Sequence, residues 1–247
     1  MSETIQTREV ALEIKHLKKF FGQKLVHEDT SFTLYKGEIL ALFGGSGSGK
    51  SVCLRSIIGL EKPDSGIITF QGQDIVQLDE DELIDIRKKI GYVFQNGALF
   101  DSMTVEENLA YPLLEHTKLT DVEVKERINE MLQLISMQGS ERLLPASLSG
   151  GMQKRVGLAR AIIMRPEIIL YDEPTAGLDP SNTKNLLELV KKLKDKGSTG
   201  IFVTHDIPAA CHIADRIAIF HNKRIHVIDT VENIQKSTDP VVRAFLE

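Results

Sequence analysis

A chain of 247 residues with 42% hydrophobic content is long enough to bury a substantial core. Its formal net charge of −5 gives no global electrostatic pull toward nucleic acid. No apolar run approaches the roughly 20 residues that span a bilayer, and the polar stretch from Met1 to Glu13 lacks the apolar centre of a secretion signal, so the expected place is the cytosol or a membrane surface reached through partners.

The first clear strand is residues 39–43, and it runs into Gly44-Gly45-Ser46-Gly47-Ser48-Gly49-Lys50-Ser51. This is the spacing of a phosphate-binding P-loop: glycines let successive backbone N–H groups turn inward around phosphate oxygens, and Lys50 adds a point charge at the β- and γ-phosphates. The Ser51 hydroxyl is placed to coordinate Mg²⁺. The helix that starts there, with Leu54, Ile57 and Ile58 on its apolar side, directs its positive dipole end at the phosphates. Cys53 in that helix, like Cys211 later, has no metal-ligand spacing and reads as a buried thiol.

Strands follow at residues 67–70 and 90–94. Between the second of these and the next strand at 168–171, the pattern is almost wholly helix and loop. Thr104 with Glu107 and Thr120 with Glu123 are two capping boxes; the first helix is expected to end or bend near Pro112, the second to stop near Gly139. Leu148-Ser149-Gly150-Gly151-Met152 then opens a basic amphipathic helix bearing Lys154, Arg155 and Arg160, a second glycine-rich helix start suited to an anion.

The strand 168–171 leads into Asp172 and Glu173. Beside the P-loop strand, Asp172 is placed to bind Mg²⁺ and Glu173 faces the γ-phosphate, where a carboxylate orients and polarises the attacking water. A helix over 182–196 carries Leu186, Val190 and Leu193 inward and ends at Gly197; a strand at 200–204 and a hairpin pair, 217–220 with 225–228, complete the pattern. Strands alternating with helices indicate an α/β protein with a mainly parallel sheet.

Taken together, the P-loop, the Leu-Ser-Gly-Gly stretch and the Asp-Glu strand end resemble an ABC ATPase along nearly the whole chain. The resemblance implies one domain over 1–247: a P-loop NTPase core, an N-terminal β-rich ATP-binding portion and an inserted helical signature subdomain at about 97–165. It implies that Gln95 is the Q-loop glutamine, touching Mg²⁺ or the attacking water, that Asp179 closes the D-loop, and that His205 is the switch histidine, sensing the γ-phosphate by a hydrogen bond. Lys50, Gln95, Glu173 and His205 then form the catalytic set. Phe21 or its neighbour Phe20 stacks on adenine, with Phe21 favoured. Val52 stands where threonine is common, Gly45 where proline is, and Met152 where glutamine is; none of these removes a phosphate- or magnesium-binding group, so ATP and Mg²⁺ remain the implied cofactors.

Two such domains would stack head to tail, with Ser149, Gly150 and Gly151 of each copy capping the ATP held by the other. The segment 97–105, Asn108, Tyr111-Pro112-Leu113 and the tail 239–246 are similar to the Mla/Mce branch of lipid transporters. That branch implies a transmembrane permease of MlaE type, an Mce-domain lipid-binding protein, a small STAS-domain protein on the helical subdomain, and a place on the cytoplasmic face of the bacterial inner membrane. Two alternatives stay open: an importer ATPase for amino acids or another small solute, and a segment 97–100 that packs into its own core rather than receiving the permease.

Overall fold

Alternating apolar and polar residues extend β1 (Val10–Phe21) and β2 (Lys24–Tyr35), an antiparallel pair that forms the N-terminal lobe; the computed structural model describes residues 8–246. The chain then enters β3 (Ile39–Gly44) and α1 (Lys50–Ile57), returns through β4 (Ser65–Phe70) and β5 (Gln73–Asp74), and reaches β6 (Ile90–Val93) by way of α2 (Glu80–Lys88). Three helices, α3 (Val105–His116), α4 (Asp121–Leu134) and α5 (Gly150–Ile162), precede β7 (Ile168–Asp172). Last come α6 (Pro180–Asp195), β8 (Thr199–Thr204), α7 (Ile207–Ile213), the hairpin β9 (Arg216–His221) and β10 (Arg224–Thr230), α8 (Val231–Gln235) and α9 (Pro240–Leu246).

Among the described residues, ten strands lie in the order β5-β4-β1-β2-β10-β9-β3-β8-β7-β6. β3 pairs in parallel with both β8 and β9, and β8 continues in parallel through β7 to β6. The antiparallel strands β1, β2, β4 and β5 join this half where β10 runs parallel to β2, Arg224 pairing with Asp29 and the Glu28 N–H donating to the Lys223 carbonyl (2.9 Å). Every residue of β3 is buried: Ile39, Ala41 and Phe43 face a core shared with α3 to α7, whereas Leu40 and Leu42 face a second core with α1, β1 and β2. A strand covered on both faces must be apolar throughout, and this places its C-terminal end, where the glycine-rich loop begins, at the edge of both cores.

Several boundaries differ from the pattern in the sequence. The helix expected to end or bend near Pro112 continues to His116, because Val105, Leu109 and Leu113 stay buried in one row on either side of the proline. The helix after Thr120 ends at Leu134 rather than near Gly139: Ser136 takes a φ of +54°, and Arg155 on α5 donates to the carbonyl of Ile135 (2.8 Å), capping the helix early. β6 stops at Val93, one residue short of the expected strand, and Phe94 is exposed. Cys53 is buried, its thiol pushed up to about 12 by burial, but Cys211 is only partly covered. Both capping boxes form as expected, each worth about 1 kcal/mol. The opening polar residues 1–7 lie outside the described residues, and among the described residues no helix is long and apolar enough to cross a membrane.

Candidate nucleotide site

The loop after β3 wraps the start of α1. Gly49, the residue before that helix, has a φ of +98°, and a Cβ there would lie 2.7 Å from Val26 and 2.9 Å from the His27 ring, so the position admits glycine alone. Lys50 bends back over the loop, its Nζ donating to the carbonyls of Gly44 (2.8 Å) and Gly45 (3.0 Å). Burial lowers its pKa, while Glu173 and Asp172 pull it back up. A cleft of about 360 Å³ is walled by residues 47–52 of the loop, by Phe21, Lys24 and Val26 from the N-terminal lobe, and by Arg55 and Glu173. Phe21 is 43% exposed and borders this cleft; Phe20 does not.

β7 brings its C-terminal end to the same place. Asp172 is buried and accepts hydrogen bonds at both oxygens, from Ser51 Oγ to Oδ1 (2.6 Å) and from Tyr92 Oη to Oδ2 (2.9 Å). Burial first, and then the Asp172 charge, push the Tyr92 phenol upward, so it stays protonated and donates. A hydroxyl and a carboxylate side by side are the hard oxygen donors that Mg²⁺ takes, and among the described residues no cluster of three or more His, Cys, Asp or Glu forms a closed metal cage. The two residues fit a magnesium, to which they would supply oxygen ligands.

Glu173 follows at a φ of +45°, a conformation that costs a non-glycine residue about 1 kcal/mol or more, and turns its carboxylate into the cleft. His205, just after β8, places Nδ1 3.4 Å from Glu173 Oε2, with its side chain 62% exposed. Gln95 is exposed in the loop after β6 and borders neither the cleft nor Asp172. Val52 of α1 borders the cleft, while Ser46 sits exposed in the loop.

The second glycine-rich helix start stands apart from that cleft. Ser149 caps α5 by accepting from the N–H of Met152 (3.3 Å); Ser149 and Gly150 are exposed and Gly151 is buried. Asp179 caps α6 by accepting from the N–H of Asn182 (3.0 Å), which holds its carboxyl below the usual range. Lys154 on α5 donates to the carbonyl of Ala176, joining the two caps.

At its other end α5 reaches the segment 97–105. Arg160 donates to the carbonyl of Ala98 (2.6 Å) and its guanidinium lies over the Phe100 ring at 5.1 Å. Buried Asn108 accepts from the N–H of Phe100 and donates to the carbonyls of Phe100, Met103 and Thr104. Phe100 and Tyr111 meet edge to face at 5.1 Å and, each 42% exposed, line a groove of about 380 Å³ with Phe94, Arg87 and His116. Within 97–100 only Gly97 is buried: a Cβ on Gly157 of α5 would stand 2.8 Å from Gly97 Cα.

Two residues at this site escaped the sequence reading. His27, fully buried on β2, bonds Thr30 Oγ1 (3.0 Å) through Nδ1 and the carbonyl of Gly49 (3.0 Å) through Nε2, which must therefore carry the proton. Tyr92 reaches Asp172 from the neighbouring strand. The one available signal, for Tyr92, was a hydroxyl inside the apolar strand pattern 90–94.

The ABC transporter family model matches residues 27–176. The probable ribonucleotide transport ATP-binding protein mkl of Mycobacterium leprae is 42% identical over 238 residues; the alignment covers 96% of this chain and 69% of that one, and the Mycobacterium tuberculosis counterpart is covered over 66%. The chain thus spans about two thirds of the length of these relatives. The intermembrane phospholipid transport system ATP-binding protein MlaF of Escherichia coli K12 is 38% identical over 227 residues, with 92% of this chain and 84% of that one covered. Among solved structures, the ATP-binding cassette MJ0796, a dimer in a post-hydrolysis state bound to ADP and Pi, superposes with a TM-score of 0.82 at 33% identity, covering 89% of this chain and 98% of the other. The cbiO1 protein of Clostridium perfringens, part of the transporter complex cbiONQ, superposes with a TM-score of 0.85 at 26% identity over 97% and 96%.

Proposed function

Because the chain belongs to the ABC transporter family as an ATP-hydrolysing, ATP-binding subunit, we propose that it powers phospholipid movement between the membranes of a bacterial envelope, working as a head-to-tail pair beneath a permease. The lipid reading follows the MlaF relatives, of which the chain covers 84%; the mycobacterial relatives carry a ribonucleotide-transport name and are covered to a smaller extent. Purification in mild detergent with identification of bound proteins and lipids tests it. Copurifying phospholipid with an MlaE-type permease and an Mce-domain or STAS-domain protein supports the lipid reading; a permease that carries a nucleotide, amino acid or other small solute replaces it.

The chemistry follows from the cleft. ATP lies with its adenine on Phe21 and its phosphates in the loop Gly44 to Ser51, under the charge of Lys50 and the positive end of α1. Ser51 and Asp172 would hold Mg²⁺, which would supply positive charge to offset that of the phosphates. Glu173 orients the attacking water and takes its proton, and His205 donates to the γ-phosphate. Ser149, Gly150 and Gly151 at the start of α5, with Asp179 beside them, close over the nucleotide of the second copy; their separation from their own cleft supports this assignment. Gln95, exposed and outside the cleft, would have to move to touch the Mg²⁺ or the attacking water. The exposed rings along the groove at Phe100 and Tyr111 support docking of the permease there, on the cytoplasmic side of the inner membrane.

One observation carries the catalytic reading: Glu173 lines the same cleft as Lys50 and Ser51 while the preceding residue holds Ser51 at 2.6 Å. The variant Glu173→Gln keeps the shape and removes the proton acceptor. It is expected to bind ATP normally, to accumulate as a nucleotide-loaded pair on size exclusion, and to lose about 100-fold or more in turnover. Turnover at the wild-type rate would remove Glu173 from the role.

A further inference from the structure

Tyr92 has its two ends in two different places. Its hydroxyl donates to Asp172 Oδ2 at 2.9 Å, opposite the Ser51 bond to Oδ1 at 2.6 Å, so the plane of the carboxylate is fixed by one donor from α1 and one from β6. Its ring packs against Phe94, with centroids 4.3 Å apart and planes inclined by 36°. Both rings line the groove of about 380 Å³ that Phe100 and Tyr111 also border. Phe94 is 38% exposed there and can be pressed by whatever fills the groove. A phenylalanine at position 92 would pack the same way, so the hydroxyl is the feature that packing alone leaves unexplained.

We propose that Tyr92 is a positioning residue: it orients Asp172 for the metal and passes the occupancy of the groove to the metal site through Phe94, a route that does not run through Gln95. This rests on the reading that Asp172 binds Mg²⁺ and that the permease docks in the groove. Filling the groove shifts the Phe94 ring, the Tyr92 ring follows because the two are in contact, and the hydroxyl turns the carboxylate that Ser51 holds on its other side.

The test is a Mg²⁺ titration of binding of a fluorescent ATP analogue to the full chain, alongside binding in EDTA and the melting temperature. Tyr92→Phe is expected to raise the Mg²⁺ midpoint about tenfold, the usual effect of removing a hydrogen-bond partner from a metal ligand, with EDTA binding within the error of wild type and a lowered melting temperature from the buried Asp172 oxygen left unpaired. Phe94→Ala is expected to raise the midpoint about threefold and to add nothing in the Tyr92→Phe background, since both act through one hydroxyl. A wild type indifferent to Mg²⁺ overturns the metal reading and this proposal with it. A Mg²⁺-dependent wild type with an unmoved Tyr92→Phe midpoint overturns the proposal alone. A Phe94→Ala effect that persists in full without the hydroxyl overturns the route to the groove.

Discussion

His27 shows how much a single buried group can carry at this site. It stands inside β2, closed off from solvent, and its one proton is committed to the Gly49 carbonyl at the point where the phosphate loop becomes helix. His27→Leu leaves the Gly49 carbonyl its helical bond from the Cys53 N–H but strands the buried Thr30 hydroxyl, at about 1–3 kcal/mol. The pair His27→Leu with Thr30→Val should recover most of that loss in a urea titration. Burial lowers the His27 pKa, with the Gly49 bond a smaller opposing effect. A base whose folded value is lowered stabilises the fold above its unfolded value of about 6.5 and loses that contribution as pH falls through the folded value. Wild-type melting should therefore drop more steeply on acidification below about pH 6.5 than melting of the double variant. At this scale the sequence was legible wherever chemistry follows from spacing along the chain, as at Lys50, Ser51, Asp172 and Glu173. His27 and Tyr92 were not legible because their partners come from other strands and loops, and no local pattern encodes a cross-strand neighbour.

Elements were legible in proportion to how regular their burial is. β3, β7 and β8 are buried along their whole length and read as continuous apolar runs. β1 and β2 are half-exposed, carry Lys15, Lys18 and Lys19 among their apolar residues, and contain register shifts, so the period of two is blurred and only a β-rich N-terminal portion was anticipated. Pro112 misled the helix boundary because tertiary burial of Leu109 and Leu113 outweighs the lost backbone bond. The close approach of α5 to Gly97 was invisible for a related reason, since it is made by two glycine backbones. Gly157→Ala, which in an exposed helix would gain about 1 kcal/mol, here places a methyl 2.8 Å from Gly97 Cα and carbonyl oxygen. We expect a net loss of about 1–3 kcal/mol in thermal unfolding, or a displaced segment and lost permease binding at unchanged stability.

The whole molecule is expected to work only as a pair, and mixing tests this without a structure. Lys50→Ala disables the phosphate loop, and Ser149→Arg blocks the start of α5; each alone should be nearly inactive. A mixed dimer holds one intact composite site, so an equal mixture should regain about a quarter of wild-type ATPase activity, measured as phosphate release. No recovery would place Ser149 in its own copy's site. The order of strands sets one more property of the molecule. Phe21 belongs to the antiparallel half-sheet and the phosphate loop to the parallel half; these halves meet in the pairing of Arg224 with Asp29, the bond from the Glu28 N–H to the Lys223 carbonyl (2.9 Å), the His27 bond to Gly49 and the core that Leu40 and Leu42 share with β1 and β2. The cleft therefore straddles a seam between two half-sheets, and a nucleotide that touches both banks adds one more stitch to those the polypeptide already supplies, so its arrival stabilises the joined form.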